Sequence, residues 1–169
     1  MTELDDFRAQ KDEFFATGNS PLEPGASFEG LTYFPESDAL RFKVPLEPST
    51  GGELAVGTSD DQTRIYQRAG IVRFQINGTD TQLTLLHHIG DDGYFVPFRD
   101  ATSGTETYGA GRYLDLDLEV DGMVSLDFNL AYNPYCAYSE AYSCPLPPQE
   151  NWLTVPIEAG EKTYTAEMD

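Results

Sequence analysis

Two cysteines near the C-terminal end of the chain are the residues best suited to nucleophilic or redox chemistry. Cys136 and Cys144 are separated by seven residues within DFNLAYNPYCAYSEAYSCPLPPQENWLTVP. A thiolate is a strong nucleophile, and two thiols in one loop can also form a disulfide. We expect both cysteines to be reduced in a cytosolic protein, with Cys136 as the candidate nucleophile or redox thiol. A disulfide that closes the loop stays open as an alternative.

The two histidines of the chain, His87 and His88, could in principle join the cysteines in a Cys2His2 zinc site. Such sites usually place their cysteines about two to four residues apart, and adjacent residues of a strand point to opposite faces. We therefore predict no metal site, and we expect His87 to point toward the core. The sequence specifies no cofactor.

Carboxylates alternate with leucines in GRYLDLDLEVDGMVSLDFNL. A hairpin with a three-residue turn at 121–123 would gather the leucines on one face. That register places Asp117 opposite Asp127 and Asp115 opposite Asn129, so that two carboxylates face each other directly. The acidic face can be solvated, can hold a cation, or can supply a general base, for which Asp127 is the candidate.

The stretch RDATSGTETYGAGRY is a polar, glycine-rich loop between two predicted strands. Gly104 and Gly109 have the spacing of a phosphate-binding loop, but Ala110 and Gly111 stand where that motif needs lysine and then serine or threonine. We therefore expect no nucleotide site of that type. Five side chains of the loop are still expected at the rim of a pocket: Arg99, Asp100, Thr107, Tyr108 and Arg112.

The segment NPYCAYSEAYSCPLPPQEN combines tyrosines with prolines and has no regular hydrophobic period. We interpret it as a stiff flap that closes one end of the protein. Together with the glycine-rich loop, it would form a polar-rimmed aromatic pocket, which is the usual form of a small-molecule site. The members expected around the flap are Asp127, Asn129, Tyr132, Asn133 and Tyr135. The alternative is a flap that only plugs the interior and covers a sheet edge.

A mainly β scaffold must position these side chains. About ten short alternating runs separated by turns predict a single-domain antiparallel barrel or sandwich. One hairpin is predicted at Asn77-Gly78, in IVRFQINGTDTQLTLLHH. An N-terminal helix is predicted over Thr2–Ala16. We divide the chain into a helix and loop over 1–26, a β core over 27–130, and a long irregular flap with closing strands over 131–169.

The composition is strongly acidic. The formal net charge is −19, with 29 acidic against 10 basic residues. Self-repulsion of this size is screened at molar salt, so the composition favours a halophilic cytoplasm. The N-terminus is charged and unlike a signal peptide, no apolar run is long enough to cross a bilayer, and clustered Lys or Arg for nucleic acid is missing. We therefore expect a cytoplasmic protein with no membrane or nucleic-acid partner.

Several of these stretches resemble an uncharacterised family. The chain resembles the domain of unknown function numbered sixteen eighty-four, which occurs in bacteria and haloarchaea. The similar stretches are FRDATSGTETYGAGRYLDL and LDFNLAYNPYCAYSEAYSCPLPPQENWLTVPIEAGEK, with the earlier KDEFF, NSPL, FEGLTYFP and GTSD. The excess of acidic residues fits a haloarchaeal member. The resemblance implies no activity, but it marks the flap and the glycine-rich loop as the signature of the family.

Three functions are compatible with these observations. The first is binding of a small polar or anionic molecule by Arg99 and Arg112, with Tyr108, Tyr132 and Tyr135 packed against it. The second is an enzyme that uses Cys136 or Asp127 in the same pocket. The third is a structural or interaction domain without a ligand. Neither the ligand nor the oligomeric state follows from the sequence.

Overall fold

The computed structural model describes residues 3–16, 31–48, 52–88, 93–117, 121–138 and 143–163. These parts form one helix, seven strands and four short 3-10 helices. The strands make two antiparallel sheets that do not close into a barrel, so the sandwich-like alternative of the predicted fold is the correct one. The expected mainly β architecture with an N-terminal helix is confirmed.

The N-terminal helix α1 spans Glu3–Ala16. Three acids in its first turn, Glu3, Asp5 and Asp6, interact favourably with the positive end of the helix dipole. Leu4 and Phe15 are its buried side chains, and the Phe15 ring meets Tyr138 of the flap edge-on at 4.8 Å. Apolar contacts therefore hold both ends of the helix, and most of its side chains lie in solvent. Thr2 lies outside the described residues.

The larger sheet has five strands in the order β2-β3-β4-β5-β6. Their bounds are Glu53–Gly57 for β2, Thr63–Ile76 for β3, Thr79–His88 for β4, Tyr94–Phe98 for β5 and Arg112–Leu116 for β6. The smaller sheet pairs β1, Arg41–Pro45, with β7, Met123–Asp127.

Within the described residues, fewer strands form than the sequence pattern predicts. The runs QTRIYQ and AGIVRFQIN join into the single strand β3, which bends at an irregularity between Arg68 and Gly70. A Cβ at Gly70 would lie 2.5 Å from Leu46 Cδ1 and 2.7 Å from the Glu47 carbonyl oxygen. Only glycine therefore allows the segment after β1 to pass this close to β3. Trp152 and Glu161 make isolated bridges, and residues 164–166 of the last predicted run lie outside the described residues.

The hairpin predicted at Asn77-Gly78 is confirmed. Ile76 pairs with Thr79, and both turn residues have positive φ, 49° for Asn77 and 81° for Gly78, as a type I′ turn requires. The alternating apolar residues of this hairpin are buried as expected, namely Val72, Phe74, Ile76, Leu83 and Leu85. His87 packs on Tyr94, which lies against the main core, so it is at the edge of the core and not within it. His87 is half-buried, its Nδ1 contacts the Gly93 carbonyl oxygen at 2.9 Å, and its ring stacks on Tyr94.

The second predicted hairpin is wrong. Strand β6 pairs with β5, so that Tyr94 faces Leu116, while β7 pairs with β1 in the other sheet. Asp127 consequently lies opposite Arg41 and not opposite Asp117. An arginine partner removes the repulsion that the hairpin register would have imposed on two carboxylates.

The main core lies between the two sheets. Val72, Leu83, Val96 and Leu126 are fully buried in it, and Phe128 packs edge-on against Phe98 at 5.6 Å.

Candidate functional site

An open groove of about 680 Å³ runs between the first two turns of α1 and the ends of β1, β6 and β7. We call it the helix groove. It is lined by Glu3, Leu4, Phe7, Glu36, Arg41, Asp115, Asp127, Leu130 and Tyr132. Asp127 and Tyr132 were both predicted as site residues, and the structure brings them together here.

Arg41 is the cation of the helix groove, and acids surround it. Its Nε donates to Asp127 Oδ2 at 3.2 Å, one terminal nitrogen donates to Glu36 Oε2 at 2.8 Å, and the other pairs with Asp38. The hydrogen bond to Glu36 and the other carboxylates raise the pKa of Arg41 above its usual value. The positive charge of Arg41 is therefore already matched by the protein's own anions.

Asp127 is a fixed acceptor because both of its oxygens are engaged. Asp127 Oδ1 accepts hydrogen bonds from the backbone N–H and the side-chain amide of Asn129, at 3.0 and 2.9 Å. Asn129 is buried and also bonds Ser37 in both directions, through the Ser37 N–H and carbonyl oxygen, each at 2.9 Å. Asn129 thus positions Asp127 from behind the wall of the groove and has no access to a ligand.

Tyr132 forms the opposite side of the groove. Its hydroxyl donates to Asp115 Oδ2 at 2.7 Å, and its ring meets Tyr113 edge-on. Burial, followed by the hydrogen bond to Asp115, raises the pKa of Tyr132, so the phenol stays a neutral donor. Phe7 and Leu130 add exposed apolar surface beside these polar groups, with 45% and 42% of their areas accessible.

The structure does not place Arg112 at the rim of a pocket, as predicted, but inside the protein. Its guanidinium makes four hydrogen bonds: to Asp100 Oδ2, to the carbonyl oxygens of Ile157 and Glu161 at 2.9 and 3.2 Å, and to that of Ala159. Only 1% of the residue is exposed, and burial lowers its pKa despite the adjacent acids. Arg112 therefore holds the C-terminal segment on the sheet.

Asp100 and Thr107 are likewise internal. Asp100 accepts from the Ile157 N–H at 2.7 Å and from the Thr102 hydroxyl at 2.7 Å, and Thr107 bonds the same hydroxyl at 2.9 Å. These bonds close the glycine-rich loop on itself. The loop residues predicted at a pocket rim are thus mostly structural, because the polar partners they need are supplied within the fold.

A buried acid that the sequence reasoning missed, Glu161, binds the helix to the flap. Its side chain pairs with Lys11 of α1 and accepts hydrogen bonds from the Tyr138 hydroxyl and, at 3.2 Å, from the Asn133 N–H. Asn133, predicted as a ligand residue, is buried and also donates to the Lys162 carbonyl oxygen. The sequence does not indicate that the glutamate of IEAGEK is buried, because the chain has many other acidic residues.

Arg99 and Tyr135 lie away from the helix groove. The Arg99 guanidinium stacks over the Trp152 ring at 4.9 Å, and Trp152 is 49% exposed. Tyr135 is exposed at 45% in the 3-10 helix of the flap. Neither side chain joins Arg112, so the predicted pair of anion-binding arginines is not assembled.

The two cysteines lie together between the flap and the loop that follows β2. The Cys136 N–H donates to Cys144 Sγ at 3.2 Å, and the Tyr108 hydroxyl donates to Cys136 Sγ at 3.6 Å. The Cys144 N–H in turn donates to Ser59 Oγ at 3.1 Å. We call these four residues the thiol cluster. Tyr108 joins it as the member of the glycine-rich loop that does meet the flap.

The two thiols differ in ionisation. A hydrogen bond from Cys144, with further ones from Tyr108 and Ser59, lowers the pKa of Cys136 to about 6. The same contact with Cys136, together with burial, raises the pKa of Cys144. Cys136 is half-buried and Cys144 is buried, both as free thiols. Cys136 is therefore the thiolate of the pair.

Neither a metal cluster nor a membrane helix is found within the ranges given above. No group of three or more His, Cys, Asp and Glu side chains is arranged there to hold a metal ion. No helix there is long and apolar enough to span a membrane.

These features define a mainly β, sandwich-like protein with an acidic groove under its N-terminal helix and a separate pair of thiols. The chain belongs to the family described as protein of unknown function (DUF1684), which matches residues 26–162. The predicted family resemblance is thereby confirmed.

The structure is also similar to the solution NMR structure of an uncharacterized protein of Haloarcula marismortui. The two sequences are 38% identical, the TM-score is 0.73, and the match covers 95% of this chain and 92% of that one. No curated protein matches the chain.

Proposed function

We propose that the protein binds a small organic cation in the helix groove, one with an ammonium group next to an apolar or aromatic part. The observation that carries this proposal is the balance of charge along the groove. Four carboxylates, from Glu3, Glu36, Asp115 and Asp127, stand against the single guanidinium of Arg41. An ammonium group entering the groove would meet an excess of anions.

The apolar residues of the helix groove support the second half of the proposal. Phe7 and Leu130 are accessible on its two sides, and Leu4 forms part of its floor. A ligand that covers these side chains removes apolar surface from water, at about 25 cal/mol per Å². The volume of about 680 Å³ lies within the range of small-molecule sites.

This ligand differs from the anionic one expected from the sequence. The expectation depended on Arg99 and Arg112, but the guanidinium of Arg112 is buried and hydrogen-bonded to Asp100 and three carbonyl oxygens. Asp127 and Tyr132 stay in the proposed site, in which Asp127 supplies fixed negative charge and has no role as a base.

A pair of probes of matched shape tests the proposal. Phenethylammonium and phenylacetate share an aromatic ring and opposite charges, and their binding is followed by isothermal titration and amide NMR shifts. We expect the ammonium probe to bind and the carboxylate probe not to bind. Asp115→Asn should weaken binding about fivefold, as the loss of one accessible charge pair does, and Phe7→Ala should weaken it comparably.

Glu53→Gln is the matched control, because Glu53 is exposed on β2, away from the groove. It should leave binding unchanged. Equal binding of both probes, or NMR shifts outside the groove, would contradict the proposal.

We infer from the acidic composition, with a net charge of −19, that the protein works in a halophilic cytoplasm. The relative from Haloarcula marismortui supports this inference. Its test is the urea midpoint measured from molar to millimolar KCl, which should fall steadily as the screening of like charges is removed.

A further inference from the structure

The thiol cluster is separate from the helix groove and has the parts of a two-cysteine redox site. Cys136 lies in the 3-10 helix Tyr135–Ala137 of the flap, with Cys144 Sγ hydrogen-bonded to its own backbone N–H. The two side chains also hydrogen-bond each other. Cys144 Sγ thus lies beside the main chain of Cys136, which makes the two thiols neighbours, as two thiols that exchange with each other must be.

Cys144 is held from outside the flap. Its N–H and carbonyl oxygen bond Ser59, at 3.1 and 2.9 Å, and the next residue, Pro145, bridges to Thr58. The Tyr113 hydroxyl donates to the Pro145 carbonyl oxygen at 2.5 Å. Because Cys144 is fixed on the sheet, formation of a bond to Cys136 requires movement of the flap side only.

Cys136 is equipped to react first. Cys136 is half-buried, whereas Cys144 is 6% exposed. Hydroxyl groups of Tyr108 and Ser59 donate to Cys136 Sγ and stabilise negative charge on it. An accessible thiolate next to a buried second thiol is the arrangement of an attacking and a resolving cysteine.

We propose that Cys136 and Cys144 form a dithiol that reduces hydroperoxides, with Cys136 as the attacking cysteine and Cys144 as the resolving one. The Cys136 thiolate attacks the terminal oxygen of R–O–O–H, the S–O bond forms and the O–O bond breaks. The leaving alkoxide takes the proton of Cys144 and departs as the alcohol.

The second step closes the disulfide. The Cys144 thiolate attacks Sγ of the Cys136 sulfenic acid, the S–S bond forms, and the S–O bond breaks. The departing hydroxide takes a proton from solvent. Over both steps the two sulfurs lose two electrons, the peroxide gains them, and the products are one disulfide, one alcohol and one water. A small dithiol returns the pair to its reduced state by exchange.

The test uses the full-length reduced protein in molar KCl with a metal chelator, treated with stoichiometric hydrogen peroxide. We expect a mass loss of about 2 Da and a peptide in which Cys136 is linked to Cys144. Cys144→Ser should instead gain about 16 Da, as a sulfenic acid at Cys136 that dimedone traps. Cys136→Ser should leave Cys144 unoxidised at the same dose, because Cys144 is buried.

The rate gives a second measurement. Wild-type oxidation at pH 7 should exceed that of the same protein unfolded in urea about tenfold, as expected for a stabilised thiolate. Tyr108→Phe should slow it several-fold without change in the NMR spectrum, and Tyr94→Phe serves as the matched control.

Two results would overturn the proposal: oxidation of both cysteines at the rate of the unfolded chain, or addition of oxygen to the wild type without a disulfide. If a serine variant does not fold, the same experiment is carried out with the alanine variants of the two cysteines.

Discussion

Among the arginines that contact carboxylates, Arg112 and Arg41 have opposite surroundings. The Arg112 side chain is 1% exposed, and the Asp100 side chain that it contacts is 0% exposed. Arg112 also donates hydrogen bonds to main-chain carbonyl oxygens. The Arg41 side chain is 32% exposed and meets three acids at the edge of an open groove. The first cluster is internally complete and holds the fold together, whereas the second leaves an excess of charge facing solvent. The balance of partners around an arginine, more than its presence in a polar loop, distinguishes a binding surface from a structural tie.

The sharpest test of this comparison is Arg112→Ala. It leaves Asp100 as a buried carboxylate without its cation and frees three carbonyl oxygens of the C-terminal segment. Breaking one partner of a buried ion pair costs about 3–5 kcal/mol. We expect the free energy of unfolding, from urea titration in molar KCl, to fall by that amount. Arg99→Ala is the control and should change it by less than about 1 kcal/mol. A folded Arg112→Ala protein of unchanged stability would mean that Arg112 is not a structural tie.

The buried acid Glu161 gives the next largest effect. Glu161→Gln removes the ion pair with Lys11 and places an amide against that ammonium group, while an oxygen can still accept from Tyr138. Losing one hydrogen-bonded charge in a buried site costs about 1–3 kcal/mol. We expect the urea midpoint to fall accordingly and hydrogen exchange in α1 to quicken. Glu158→Gln, an exposed acid of the same segment, should change neither. Unchanged protection of the helix amides would show that Glu161 does not anchor the helix.

The two cysteines of the thiol cluster differ in the same way, since Cys136 is half-buried and Cys144 is buried. With a pKa of about 6, Cys136 is mostly protonated at pH 5 and mostly a thiolate at pH 7. Its alkylation by iodoacetamide should therefore quicken about tenfold between these pH values, since only the thiolate reacts. The ionisable groups that face the two thiols are Tyr108 and Tyr113, with Arg64 beside Cys144.

Cys144 is the internal control for that measurement and should remain unlabelled throughout the range. The site of labelling is read from peptide masses. If Cys136 gains reactivity only above pH 8, the thiolate is not stabilised by its neighbours, and the two cysteines are ordinary thiols.

The sequence was a good guide wherever contacts are local. The turn at Asn77-Gly78 fixes its own register, and the helix Glu3–Ala16 follows from its charged first turn and apolar positions. The pairing of β7 with β1 could not be found in this way, because the partner of Asp127 is Arg41, far away along the chain. Strand alternation identifies a strand and its faces, but it does not identify the neighbouring strand.

The candidate sites were predicted in part for the same reason. The thiol cluster was indicated by the spacing of Cys136 and Cys144 in one segment, since a short loop keeps its ends close. The predicted position of Arg112 at a pocket rim was wrong because three of its acceptors are main-chain carbonyl oxygens. Every residue type has such an oxygen, so the sequence does not indicate which ones bind Arg112. The helix groove combines α1 with strands that are distant along the chain, so Asp127 and Tyr132 are the lining residues that the sequence predicts as site residues.

The smallest expected change in stability, and the one that completes the comparison, is that of Arg41→Ala. Because Arg41 is accessible and paired with Glu36, Asp38 and Asp127 at the surface, we expect the free energy of unfolding to change by less than about 1 kcal/mol. Removal of the only guanidinium in the groove lining increases the excess of anions, so phenethylammonium should bind about two- to fivefold more tightly.

Arg73→Ala is the matched control for Arg41→Ala, because Arg73 is 58% exposed in its ion pair with Glu47 and lies on the other sheet. It should leave both stability and phenethylammonium binding unchanged. A loss of more than about 2 kcal/mol in the Arg41 variant would place Arg41 with Arg112 among the structural ties. Weaker binding with unchanged stability would instead mean that the guanidinium itself contacts the ligand, and the preferred ligand would then carry an acidic group.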